Sequence, residues 1–462
     1  MTPHSTELVA LKWTAAAVAL CLAPLVGRLL RTRPALLAAA ATLLGLLPFV
    51  GLQRLSLHLI SYEAYRGDAR GLEVTAVDFL ACALLFALPP RAPMPYRRAF
   101  AFFGLAALLS IPGSELPLYS LFSVWKVARL ALVVAVVARL CEDESAAPRL
   151  LRGMALGVCF EALLTAWQHF ALHQYQARGT FEHQNTLTMA CNLVAPIGLA
   201  LLLVRRGLWA AVAVLGASLV CLFALSRGSL VSLCVSLLAV FVFSMLRGLT
   251  RRKLVLSAAA AVAAFAVGLK TLPTIIHRFQ TAPRSSADSR LLLERAAELM
   301  AAEHPFGVGI NQFSNALEHL GYAGRAGLDV SGYDASAIVH NIYRLNAAEL
   351  GLPGLLAYLI LIGGPLALAI SGAARAGDTA RGAVLLGCAV AFGASYLQGT
   401  LEWLSRQTAF AYLYFMLAAM VAALHRHALK APHASGAGSL RDSLFGAARR
   451  LAGAAAPAGR GA

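Results

Sequence analysis

"RRGLWAAVAVLGASLVCLFALSRGSLVSLCVSLLAVFVFSMLRGLTRRK" runs from Arg205 to Lys253. It contains two apolar runs, 207–225 and 229–246, with no charged side chain inside either. Ser-Arg-Gly-Ser divides them, and basic residues close both outer ends: Arg205 and Arg206 on one side, Arg247, Arg251, Arg252 and Lys253 on the other. An apolar run of nearly 20 residues has the length that hydrocarbon requires of a helix, the one local structure that satisfies its own backbone polar groups there. The stretch therefore reads as two membrane spans with basic ends on one face and a short polar turn on the other.

The same pattern repeats along the chain. Hydrophobic residues make up 59% of the 462 positions and charged residues 13%, with mean hydropathy +0.70, too little polar surface for a soluble exterior. Spans are expected at 11–30, 35–53, 73–89, 98–113, 118–139, 150–172, 186–204, 207–225, 229–246, 253–271, 341–372, 382–398 and 407–425. That is twelve or thirteen, since Lys126 and Arg129 inside 118–139 also suit a helix lying at the interface. The first run lacks a cleavage-site pattern and is read as a retained span. The fold class is an all-α polytopic membrane protein. It divides into a bundle (1–271), one large outward loop with short helices (272–340), three C-terminal spans (341–425) and a disordered basic tail (426–462).

The net charge of +17 would suggest a nucleic-acid partner in a soluble chain. Here the surplus falls in alternate loops, at Arg28/Arg31/Arg33, Arg91/Arg97/Arg98, Arg139/Arg149/Arg152, Arg205/Arg206, Arg247–Lys253, Arg375/Arg381 and the tail. Positive loops stay cytoplasmic, so the expectation is a multi-pass inner-membrane protein, surrounded by membrane lipids, with no nucleic-acid partner. Loops 54–72, 114–117, 173–185, 226–228, 272–340 and 399–406 then face the periplasm. The eight cysteines lie almost wholly in apolar runs without a CxxC pair and read as small core residues.

Chemistry concentrates in the outward loops. Arg178, in "RGTFEHQN", precedes a span; Arg227, in "SRGS", begins one; Arg290 is expected in the first turn of a loop helix over "SSADSRLLLERAAELMAAE", capped by Ser286 or Asp288. A guanidinium at a helix N-terminus works against the positive end of the helix dipole, but it suits an anion, phosphate above all. Taken singly, each arginine reads equally as a headgroup anchor or a solvated charge. His340-Asn341 opens a long apolar helix, with Arg344 one turn on. Both the helix end and Arg344 disfavour an imidazolium, leaving a neutral ring that can accept a proton; the alternative is that Asn341 caps the helix while His340 faces water. Gly351, Pro353 and Gly354 should bend that helix. Secondary candidates are Lys126 and Arg129 for phosphate, Asn185 and Asn311 for loop orientation or capping, and Gln398 and Glu402, with Arg406, as an outward polar cluster that binds saccharide or forms a structural ion pair. Glu161 lies within a span at a cost, its partner not readable.

His340-Asn341, nine residues, then Gly351-x-x-Gly354 resembles the H-[NSQ]-x9-G-x-x-G signature of O-antigen ligases. "RGTFEHQN", "SRGS" and "SR…HPFGVGINQF" (Ser289 to Phe313) resemble the accompanying motifs in order and spacing, over roughly residues 150–425. The resemblance implies an inverting, metal-independent, GT-C-like glycosyltransferase that uses no cofactor. Its donor would be an O-antigen polysaccharide on undecaprenyl diphosphate and its acceptor a sugar hydroxyl of lipid A–core. His340 matches the general base; Arg178, Arg227 and Arg290 match the diphosphate-binding arginines. O-antigen polymerases and protein O-oligosaccharyltransferases share the signature. A lipid-linked oligosaccharide flippase is the rival of another class, and would favour midplane charges and repeated halves, neither of which is visible.

Overall fold

Apolar runs bounded by basic residues, proline or glycine become helices in the computed structural model, which describes residues 3–430 except 63, 91–92, 281–283 and 330–336. The N-terminal part comprises α1 (Pro3–Thr32), α2 (Pro34–Leu46), a hairpin of β1 (Ser56–Ser61) and β2 (Gly71–Thr75), α3 (Ala76–Ala87), α4 (Arg97–Leu109) and α5 (Pro117–Leu140). The middle comprises α6 (Ala146–Phe170), α7 (Gln184–Val204), α8 (Leu208–Ala224), α9 (Arg227–Leu246) and α10 (Arg251–Gln280). Short helices α11 (Arg284–Glu303), α12 (Phe313–His319) and α13 (Tyr322–Ala326) follow, then α14 (Ile342–Ala376), α15 (Ala380–Gln398) and α16 (Thr408–Lys430). The protein is an all-α polytopic membrane protein with one small hairpin.

Each of the thirteen expected spans falls on a helix, yet among the described residues eight helices are long and apolar enough to cross a bilayer: α1, α5, α6, α7, α9, α14, α15 and α16. At about 1.5 Å per residue, α2, α3 and α4 reach only about 20 Å, short of a roughly 30 Å hydrocarbon core. They pack beside longer neighbours instead: α2 on α6, α3 on α1, α4 on α14. Small residues permit this. A Cβ on Gly45 would stand 2.2 Å from the Leu150 carbonyl oxygen, and one on Gly153 1.9 Å from that of Thr42, so α2 and α6 meet almost backbone to backbone. Gly387 lets α15 approach Ile197 of α7 in the same way.

The hairpin was not expected in loop 54–72. Its strands pair antiparallel, Ser56 opposite Thr75, and Leu59 and Val74 pack on Ala16 of α1. Other boundaries also move. Helix α10 continues past 271 to Gln280, and α16 to Lys430, so Arg426 is helical and does not begin the tail. Residues 431–462, most of the expected tail, lie outside the described residues. Helix α11 begins at Arg284, which places Ser286 and Asp288 inside it and not at its cap, and Arg290 beyond the first turn. Helix α13 occupies part of a segment expected as loop.

The bend in α14 is where two motifs dock. Gly351 sits at φ 66°, ψ −172°, a conformation essentially reserved for glycine. Pro353 brings no N–H, so the Glu349 carbonyl loses its helical donor. The "FGVGINQF" segment supplies replacements: Gly309 N–H donates to the Glu349 carbonyl at 3.0 Å and Val308 N–H to that of Ala348 at 3.0 Å. Contact is so close that a Cβ on Gly351 would lie 2.0 Å from the Pro305 carbonyl oxygen. The spacing of these glycines is thus a docking geometry that sets the outer two turns of α14 against the loop.

Candidate active site

Five segments meet at the end of the bundle where α14 begins: the loop before α7, the α8–α9 turn, α11, the start of α14 and the 399–407 loop. Asn341 caps α14, its Oδ1 accepting from the N–H groups of Tyr343 and Arg344 at 3.1 and 3.2 Å. The preceding residue, His340, is thereby fixed at the helix entrance. The 399–407 loop clamps this turn: Ile342 N–H donates to the Gly399 carbonyl at 2.9 Å, and Arg406 reaches Asn346 at 3.1 Å and Glu349 at 3.0 Å.

Glu402 is the hub. It is buried, at 5% side-chain exposure, whereas His340 is open at 33%. Glu402 Oε2 lies 3.1 Å from His340 Nδ1. Oε1 accepts from Asn185 Nδ2 at 2.6 Å and faces Arg290 Nη2 at 3.6 Å. Burial works against the Glu402 carboxylate, but the hydrogen bond and charge of His340, with Arg290 and His183, hold its pKa below the ordinary value. An ionised Glu402 only accepts, so Nδ1 of a neutral His340 must carry the proton and Nε2 keeps its lone pair. This is a carboxylate–histidine dyad, and it sets the tautomer of the ring; the sequence argument from Arg344 does not hold, because Arg344 is paired with Glu294 at 3.2 Å and with Glu298, so its charge is spent away from the ring.

Asn185 extends the set. Its Oδ1 accepts from Ser226 Oγ at 2.8 Å, and Ser226 precedes Arg227, the half-buried first residue of α9. Gln398 packs its amide against Gly228 in the same turn. His183, in "RGTFEHQN", was not singled out by sequence; partial burial, then the charges of His340 and Arg290, lower its pKa against the pull of Glu402. Its Nδ1 accepts from Asn185 N–H at 3.2 Å. The structure therefore brings together His340, Asn341, Arg290, Asn185, Glu402, Gln398 and the Arg227 turn.

Four candidates fall elsewhere. Lys126 is buried between Asp68 at 3.2 Å and the Arg406 carbonyl at 2.9 Å. Arg129 is buried against Asp78 at 2.8 Å, Glu73 at 3.3 Å and Tyr412. Both are spent in interior ion pairs and are not placed to receive phosphate. Asn311, at φ 65°, uses its amide to hold Ala69 and the Tyr119 carbonyl, which ties the hairpin loop to α5. Arg178 is anchored through its backbone: its N–H and that of Gly179 donate to Gln168 Oε1 at 3.1 and 2.8 Å, while Glu161 accepts from Thr180 N–H at 3.1 Å. Glu161 thus has its partner, the turn that carries Arg178. The Arg178 side chain is exposed, and among the described residues no hydrogen bond or ion pair joins it to the Glu402 set. Arg406 also leaves the expected Gln398–Glu402 cluster for Glu349 and Asp68.

Residues 210–359 match the family model described as O-antigen ligase. That segment is similar to the O-antigen ligase family. It runs from α8 through the α14 bend, and so includes Arg227, Arg290 and His340. No curated protein matches the chain. The likeness to O-antigen ligases supports a ligase- or polymerase-type glycosyltransferase role on a lipid-linked glycan in a membrane. Among the described residues no group of three His, Cys, Asp or Glu side chains could hold a metal ion.

Proposed function

We propose that the chain transfers a glycan from a polyprenyl diphosphate, undecaprenyl diphosphate in bacteria, to a sugar hydroxyl of lipid A–core. The observation that carries this reading is the His340–Glu402 dyad, with Nε2 left open beside Arg290 and the Arg227 turn. The acceptor hydroxyl gives its proton to His340 Nε2 as its oxygen attacks the anomeric carbon from the side opposite the diphosphate. The bond from that carbon to the phosphate oxygen breaks, the configuration inverts, and the electron pair leaves on the diphosphate. Arg290 and Arg227 meet that charge, with Arg178 on the adjoining loop. Arg290 starts in an ion pair with Glu402 at 3.6 Å, longer than a close bond, which frees donors for phosphate oxygens. Glu402 stabilises the imidazolium until the proton is passed on. The reading needs no metal ion, and the site faces the periplasm on the positive-inside argument.

Purified protein should join a polyprenyl-diphosphate-linked glycan to lipid A–core in EDTA. His340→Ala should abolish product, and Arg290→Ala or Arg227→Ala should cut it roughly tenfold or more, since each charge-assisted contact contributes about 1.5–3 kcal/mol. Near-normal turnover by His340→Ala refutes the base assignment; loss in EDTA restored by Mg²⁺ refutes the metal-free mechanism. With a single-repeat donor and no lipid A–core, lengthening of the glycan would identify a polymerase instead.

A further inference from the structure

The end of the bundle opposite His340 holds a cavity of about 620 Å³, within the roughly 300–1,000 Å³ range of small-molecule sites. It lies where α6 and α8 begin, α7 and α14 end, α15 begins and α16 ends. Some 35 residues of α14 separate its rim from His340, roughly 50 Å of bent helix and more than one hydrocarbon thickness. The cavity therefore plays no part in the outer site.

Its rim and its walls differ in character. The rim carries Arg152, Arg205, Arg375 and Arg381. Arg381 is held by Glu144 at 2.6 Å. Arg152 lies over the Trp209 ring, 5.5 Å from its centroid. Among the described residues no ion pair takes Arg152, Arg205 or Arg375, and all three side chains reach solvent. Below them the walls are alanine, valine, leucine and isoleucine from α6, α7 and α8. A cluster of uncompensated guanidinium groups above an apolar hollow is complementary to a molecule with an anionic head and hydrocarbon chains. Free phosphate would use only the rim. The chain's own segment 431–462 is basic, with Arg441, Arg449, Arg450 and Arg460 against Asp442, and would be repelled by it.

We propose that this cavity binds an anionic phospholipid of the adjoining leaflet, its phosphate among Arg152, Arg205 and Arg375 and its acyl chains along the walls of α6, α7 and α8. Basic pockets between spans recognise anionic headgroups by this combination, and Trp209 is the second residue of α8, just after Arg205 and Arg206, a helix-end position that suits amphipathic rings. The proposal stands independently of the glycosyl-transfer reading.

The test is native mass spectrometry of the full-length protein, released from bilayers of equal phosphatidylglycerol and phosphatidylcholine. The wild type should retain phosphatidylglycerol at least about tenfold over phosphatidylcholine. The triple variant Arg152→Gln/Arg205→Gln/Arg375→Gln should bring that ratio close to one, and the corresponding Arg→Lys triple should keep most of it. Ala213→Trp, which fills the hollow and leaves every arginine in place, should also reduce retention, and it carries the test if the triple variant fails to fold. Millimolar inorganic phosphate should not displace the lipid, and truncation after Lys430 should leave retention unchanged. Equal retention by wild type and Ala213→Trp, displacement by phosphate alone, or a rise in retention on truncation would each overturn the assignment. So would preferential uptake of a polyprenyl phosphate over phosphatidylglycerol.

Discussion

Glu402→Gln preserves the shape of the hub and removes its charge, and the geometry fixes what must follow. In the native site both oxygens accept: Oε2 from His340 Nδ1 at 3.1 Å, and Oε1 from Asn185 at 2.6 Å with Arg290 at 3.6 Å. Glutamine has one oxygen. With that oxygen towards Asn185 and Arg290, its NH₂ points at His340 Nδ1, which must turn acceptor. The ring proton then moves to Nε2, and the atom meant to receive the acceptor's proton already holds one. With the oxygen towards His340, the NH₂ meets the donors of Asn185 and Arg290, and donor faces donor in a buried place. The first arrangement loses the open Nε2, and the second keeps it only at the cost of that clash.

General-base catalysis contributes about 10²–10⁴-fold, and the wrong tautomer in a carboxylate–histidine dyad costs about 10⁴-fold. Glu402→Gln should therefore lower kcat about 10²–10⁴-fold, while the donor KM changes only a few-fold because Arg290 stays in place. Single-turnover transfer, followed as the mobility shift of lipid A–core, measures the chemical step. The His340→Ala/Glu402→Gln double variant should be no slower than His340→Ala, since residues acting as one unit are not additive. A Glu402→Gln rate within about threefold of wild type, or a double variant that multiplies the two losses, would refute the dyad.

Three further outcomes follow. The folded-state pKa of Glu402 lies below its unfolded value, so its contribution to stability is present at neutral pH and is lost as pH falls below the ordinary carboxylate range; melting temperatures of wild type and Glu402→Gln, measured in detergent, should differ at pH 7 and converge in acid. Gly351→Ala forces an unfavourable backbone conformation and sets a Cβ 2.0 Å from the Pro305 carbonyl oxygen; it should cost more than about 1–3 kcal/mol and lower both yield and melting temperature. Arg129→Ala strands the buried carboxylate of Asp78 and the half-buried one of Glu73 and should destabilise the fold by about 3–5 kcal/mol, with the donor KM of the surviving protein unchanged; a raised KM at undiminished stability would return Arg129 to the substrate.

The membrane helices were legible because hydrocarbon imposes one rule on every residue of a span. Thirteen apolar runs gave helices, and the proline and glycines of 351–354 gave the bend. Whether a run crosses the bilayer was less legible. Residues 35–46 and 76–87 are as apolar as a span, and their shortness is resolved only by the partner each leans on, as Gly45 and Gly153 do where α2 meets α6. The hairpin at 56–75 escaped notice because its strands are short and one face packs on α1, a contact between residues some 40 to 60 positions apart that no local pattern announces.

The site was legible in its residue types and illegible in its pairings. Arg290, Glu294 and Glu298 stand four apart on α11, and a polar helix face follows from that spacing; but the face is turned towards α14, where it meets Glu402, Asn341 and Arg344. The neutral ring at His340 was expected from repulsion by Arg344. That repulsion is cancelled by two carboxylates from α11, and a third carboxylate, 62 positions along the chain, sets the ring's proton instead. A hydrogen bond to a buried carboxylate is the stronger constraint, because it fixes which ring nitrogen carries the proton. It also reassigns the basic residues by what each has already been given: Lys126, Arg129 and Arg406 carry buried carboxylates and hold the frame, whereas Arg290 stands 3.6 Å from Glu402, a carboxylate that also holds hydrogen bonds from His340 and Asn185. The number of arginines on the outer face is therefore a poor guide to the pocket; the carboxylate each one answers to is the better one.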